Sequence, residues 1–159
     1  MKNALRKLSI AILLPILVLE TGQAASQTSA MEEKPEKAIA IIAGMRFPKD
    51  RLTARELRAI YLGEINIVEN LWIHPVDQRD DQPIRKRFLE KVIQMPRDRY
   101  INHWNQRLFR NGGFTPLLKS DGREVIETVR EQDGALGYLW ADEVRNEPDI
   151  KILLILDDP

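Results

Sequence analysis

Six consecutive apolar residues, Ala38 to Ala43 (AIAIIA), constrain the fold of this chain more than any other feature. A strand with one wet face alternates apolar and polar side chains, and this run offers water nothing on either side. Such a strand is buried on both faces, so the sheet that holds it needs elements packed against it. Two further runs, Ala135 to Trp140 (ALGYLW) and Ile150 to Leu156 (IKILLIL), read as strands that close the domain.

Between these runs the period lengthens to that of helices. Thr53-Ala54-Arg55-Glu56 is a capping box, in which the threonine hydroxyl takes an early helix N–H and the glutamate reaches back. The helix it opens puts Leu57, Ile60 and Tyr61 on one face, and Gly63 can end it in the left-handed conformation. Leu71 to Val76 (LWIHPV) reads as a strand broken or ended near Pro75. A helix starts near Pro83 with Phe88, Leu89, Val92 and Ile93 inward, and Met95-Pro96 punctuates it. The next runs from about Arg97 to Arg110, with Tyr100, Ile101, Trp104 and Leu108 at helical spacing before the breaker Asn111-Gly112-Gly113. Asp121 caps a last helix carrying Val125, Ile126 and Val129, which stops at Asp133-Gly134. The order β-α-β-α-α-α-β-β predicts an α/β domain: a mixed, mostly parallel sheet flanked by helices.

The first 24 residues read as an address. Lys2, Arg6 and Lys7 precede the apolar stretch Leu8 to Leu19, which is short for a membrane span, and Gly22-Gln23-Ala24 supplies small residues for cleavage. Residues 1–24 are therefore expected to be a signal peptide, 25–36 a flexible polar leader and 37–159 the domain, soluble in the periplasm after cleavage. Removing residues 1–24 deletes Lys2, Arg6, Lys7 and Glu20 from 24 basic and 24 acidic residues, leaving a net charge of −2. That balance gives no overall drive toward nucleic acid. The chain has no cysteine, which excludes a disulfide scaffold, a thiolate metal site, a cysteine nucleophile and a lipidated cysteine.

No HExxH, GxSxG or glycine-rich phosphate loop occurs, so neither an enzyme nor a bound metal or cofactor is expected. His74 and His103 read as packed or surface histidines. Asp77, Asp80 and Asp81 lack the glycine and late glutamate of a calcium loop, and read as a solvated, helix-capping cluster. Residues 85–110 hold Arg85, Lys86, Arg87, Lys91, Arg97, Arg99, Arg107 and Arg110 against Glu90 and Asp98. This is a solvated basic face or, more sharply, a docking surface for an acidic domain or an anionic envelope polymer.

Three segments in order resemble a known family. They are Leu52 to Ile65 (LTARELRAIYLGEI), Pro75 to Phe88 (PVDQRDDQPIRKRF) and Gly134 to Tyr138 (GALGY). Together they are similar to the central lobe of the periplasmic phosphate-binding proteins of ABC uptake systems, over roughly residues 38–156. Trp104 to Phe109 and Gly113 look most like the short single-lobe relatives named phosphate-transporter substrate-binding proteins. The resemblance implies a periplasmic-binding-protein-like single lobe, with an anion-binding turn at Arg79, Gln82 and Arg85. The family turn uses Ser-Gly-Thr at a helix start, where hydroxyls and N–H groups converge on the anion. Here Pro83 has no N–H and Ile84 no hydroxyl, while three aspartates oppose an anion.

The expectation is a non-enzymatic, phosphate-transporter-like binding protein that takes a small anion weakly, phosphate being a poor fit, or has a repurposed ligand. Its alternative is an interaction or sensory accessory module that docks on an inner-membrane transporter or sensor protein.

Overall fold

A computed structural model describes residues 37–112 and 114–157; the expected signal peptide, the leader and the two final residues lie outside them. The sheet forms around β1 (Ile39–Gly44), where Ile39 to Ala43 are at most 1% exposed. It pairs antiparallel with both β6 (Ala135–Trp140) and β7 (Ile150–Leu156), and a bulge in β7 shifts the register between Ile41 and Ile42. On the far side of β6 lie β4 (His74–Gln78) and then β5 (Leu117–Lys119), both parallel to their neighbours. The strand order is β5-β4-β6-β1-β7, in which every strand except β1 runs the same way. The mixed, mostly parallel sheet expected from the sequence is therefore present.

Strand parity sends alternate residues of β1 to two separate cores. Ile39, Ile41 and Ala43 pack on one face with Leu57, Ile60 and Tyr61 of α1 (Ala54–Tyr61). The same core takes Ile84 and Phe88 of α2 (Pro83–Phe88), and Tyr100 and Trp104 of α3 (Arg97–Asn111). On the other face Ala40 and Ile42 meet Val125 and Val129 of α4 (Gly122–Glu131) and Val144 of the short α5 (Ala141–Val144). Burying each large aliphatic side chain contributes about 1.5–3 kcal/mol, so a polar residue anywhere in AIAIIA is costly on whichever face it falls.

The capping signals formed as read. Glu56 N–H donates to Thr53 Oγ1 at 3.2 Å, and Thr53 N–H donates to Glu56 Oε2 at 2.9 Å. Asp121 Oδ1 accepts from Glu124 N–H at 3.0 Å. Gly63 follows α1 with φ +71°. A π-helical turn, Leu89–Ile93, prolongs α2 and ends at Gln94, whose φ is 55° and whose N–H donates to Leu89 O at 2.7 Å.

The single strand expected over Leu71 to Val76 is divided. Its first part, β3 (Leu71–Trp72), pairs with β2 (Ile67–Val68) in a separate hairpin closed by Glu69 and Asn70. Both of these have positive φ, 47° and 69°, as a two-residue hairpin turn requires. The remainder belongs to β4, and Pro75 sits inside it. His74 N–H donates to Gly134 O on the β6 side, so Pro75 faces the β5 side, where pairing starts only at Val76. The missing N–H therefore breaks no ladder bond.

Candidate functional site

The turn to which the resemblance assigns anion binding joins β4 to α2. Its backbone is held by three hydrogen bonds: Arg79 N–H to Lys119 O at 3.0 Å, Gln82 N–H to Arg79 O at 3.0 Å, and Arg85 N–H to Gln82 O at 3.1 Å. Gln82 is the N-cap of α2 without a side-chain capping bond, and Pro83 opens the helix. None of the three aspartates caps α2, contrary to the sequence reading.

Arg85 lies in the first turn of α2 with its side chain 8% exposed. Its Nε is 3.2 Å from both Asp77 carboxylate oxygens, and Nη2 is 3.2 Å from Asp77 Oδ2. Its Nη1 meets Asp80 Oδ1, and the other oxygen of Asp80 takes Arg97 Nη2. All three guanidinium nitrogens thus face carboxylates of the same chain. Such bidentate pairing is the geometry that arginine uses for carboxylate or phosphate alike.

Contrary to the solvated cluster expected from the sequence, Asp77 is buried, only 4% exposed. Beyond Arg85 it accepts from the Tyr138 hydroxyl at 2.6 Å and from Gln78 N–H at 2.8 Å. The ring of Tyr138 stacks on Phe88 with centroids 3.9 Å apart and planes 2° from parallel. Gln78 Nε2 donates to Tyr138 O at 2.8 Å, closing the network between β4 and β6. Burial raises the Tyr138 phenol well above its ordinary range, and the Asp77 charge adds to the effect.

Arg79 is in a different environment from Arg85. Its side chain is 56% exposed and faces Asp81, 3.4 Å away. Gln82 is half-buried. Of the three residues assigned to the anion site, one therefore points to solvent and one inward to a buried pair. Asp77, Asp80 and Asp81 balance Arg79, Arg85 and Arg97, so the turn has no net positive charge to offer. Sequence reasoning missed Gln78, Tyr138 and Arg97 as members of this network. The available signal was that Asp77 and Gln78 continue a buried strand directly, and that a tyrosine in the apolar run ALGYLW needs a partner for its hydroxyl.

A second feature lies at the other end of α3. Trp72, Pro75, Trp104, Leu108, Phe114 and Leu117 border a groove of about 330 Å³. Among the described residues no group of three or more His, Cys, Asp or Glu side chains is placed to hold a metal ion.

No family model matches the chain, and no curated protein sequence does. Solved structures share its fold. An ABC-type phosphate transport receptor from Vibrio cholerae superposes with a TM-score of 0.58 at 16% identity, over 74% of this chain and 45% of that one. A phosphate ABC transporter substrate-binding protein from Clostridium perfringens, solved with bound phosphate, gives 0.59 at 17% identity over 74% and 44%. PstS from Borrelia burgdorferi gives 0.58 at 16% identity over 74% and 46%. The chain has the fold of one lobe of a periplasmic-binding-protein-type receptor. It spans less than half the length of these structures.

Proposed function

We propose that this chain is an exported, non-enzymatic accessory module of the binding-protein class that acts by docking on a partner rather than by capturing free phosphate. The observation that carries this reading is Arg85. Its guanidinium is buried, and each of its nitrogens faces a carboxylate of the chain itself. An incoming phosphate has to displace Asp80, whose removal leaves Arg97 without that partner as well. Each charge-assisted hydrogen bond given up costs roughly 1.5–3 kcal/mol, which is comparable to what the anion regains. Small-ligand sites usually bury some 70–90% of their ligand, whereas the cation the turn leaves accessible, Arg79, has a side chain 56% exposed.

The fold is shared with transport proteins, and the Clostridium protein was solved with bound phosphate. That observation favours a second reading, weak anion binding at Arg79, Gln82 and Arg85 with Arg79 as the accessible cation. Calorimetry with inorganic phosphate decides between them. The docking reading predicts no heat of binding up to millimolar phosphate. Micromolar affinity that disappears in Arg79→Ala or Arg85→Ala overturns it in favour of the anion site.

A further inference from the structure

At the C-terminal end of α3 the chain turns through Gly112 between two phenylalanines that face solvent. Phe109 is 92% exposed and Phe114 87%. Leu108 and Trp72, 41% and 58% exposed, border the adjoining groove. Arg107 and Arg110 lie three residues apart on the same helix end, and Arg107 Nη2 is held by Gly63 O. Between Asp98 and Asp121 the sequence contains no carboxylate, and its cations at this end of α3 are Arg107 and Arg110. The aspartate–arginine turn touches α3 at Arg97, so the two features are separated by about 18 Å along the helix axis.

We propose that this end of the domain is a docking element for an anionic lipid bilayer, with Phe109 and Phe114 entering the headgroup–acyl boundary and the exposed Arg110 facing lipid phosphates. The proposal goes beyond the docking reading above and concerns a different face. Two features select lipid over a protein partner. A rigid protein surface needs a matching recess for each protruding ring, whereas a fluid interface takes aromatic side chains without one. A basic stretch free of carboxylates is complementary to a continuous sheet of lipid phosphates at any orientation. No helix among the described residues is long and apolar enough to cross a membrane, so the contact is peripheral.

The chain's lack of cysteine allows a local test on the full protein. An environment-sensitive fluorophore is placed on Thr115→Cys, at an exposed residue beside Phe114, and in a separate variant on Arg123→Cys, exposed on α4. With phosphatidylglycerol vesicles the Thr115 label is expected to shift to the blue and become shielded from an aqueous quencher. The Arg123 label stays in water, and phosphatidylcholine vesicles give little response. Adding Phe109→Ser and Phe114→Ser raises the lipid concentration for half-maximal response at least tenfold, on the order expected for two lost aromatic contacts. The proposal is overturned if the Thr115 label stays in water on phosphatidylglycerol, or if the Arg123 label responds equally. It also fails if the lipid-free protein is a dimer that the double serine variant makes monomeric, since the face is then a protein interface. Phosphate calorimetry on the same variants reads the other face, so the two proposals fail separately.

Discussion

The Tyr138 hydroxyl donates a 2.6 Å hydrogen bond to Asp77 across 61 residues of sequence, joining β6 to the start of the β4–α2 turn. This bond fixes the carboxylate that holds Arg85. Removing Asp77 leaves a buried guanidinium and a buried phenol without their shared acceptor. Asp77→Ala is expected to destabilise the domain by about 3–5 kcal/mol, the cost of breaking a buried ion pair from one side. Urea unfolding checks this, and a loss under 1 kcal/mol would show that the network is dispensable.

Asp80 is the half-exposed member of the same network, 43% accessible at its side chain. Asp80→Ser frees one nitrogen of Arg85 and one of Arg97 without emptying the buried pair. The expected result is a gain of phosphate affinity of roughly 10–100-fold over the parent, the equivalent of one recovered charge-assisted bond. Calorimetry measures it directly. An unchanged titration means that the turn lacks more than a vacant arginine.

The capping box sets an acid limit. Glu56 is held down to about 2, first by its bond to Lys49 and then by the Thr53 N–H and hydroxyl. A carboxylate lowered in the folded state stabilises above its unfolded value, here 4.5. That contribution is lost as pH falls from there toward about 2. Thermal melts between pH 6 and pH 2 should therefore show a smaller acid loss in Glu56→Gln, which begins less stable at neutral pH. Parallel curves for the two proteins would contradict the assignment.

All three tyrosines, Tyr61, Tyr100 and Tyr138, are buried and raised above the ordinary phenol value of 10, burial being the leading cause in each. A phenol raised in the folded state keeps its proton when the unfolded chain has lost it, so stability is full below pH 10 and falls above it. Tyrosinate absorbance is expected to appear only together with loss of the fold. A phenol that titrates near pH 10 in folded protein places one of the rings in water.

Gly134 has φ +78°, and a Cβ built there comes within 1.9 Å of the Trp72 carbonyl oxygen. Gly134→Ala meets both a conformational penalty and a backbone clash, each of about 1–3 kcal/mol. The variant is expected to fold poorly or to melt well below the parent in calorimetric scans. Near-parental melting would mean that the β2–β3 hairpin can move aside.

Where local chemistry decides, the sequence was enough. Thr53 and Glu56 sit at capping spacing, and the box formed. Runs of apolar residues marked β1, β6 and β7 nearly to the residue. Tyr100 and Trp104, read as core positions, are 2% and 8% exposed. What escaped depends on distant partners. Leu71 and Trp72 continue the apolar pattern of β4, yet Glu69 and Asn70 fold them back into a hairpin. Leu117 to Lys119 is too short to show a period, and becomes a strand because β4 has an open edge beside it. Asp77 looks like any acidic loop residue until Tyr138 and Arg85 arrive from other elements to bury it.

The position of β1 also orders events in time. It is made early, but its neighbours on both sides are β6 and β7, about 100 residues further along the chain. Closing so long a loop before any pairing is rewarded makes assembly slow. Until residues 150–156 have been synthesised, the greasiest segment of the domain has one flank bare. Premature release from the ribosome, or a stop codon shortly before Ile150, thus leaves β1 as an adhesive ribbon with an open edge where β7 belongs.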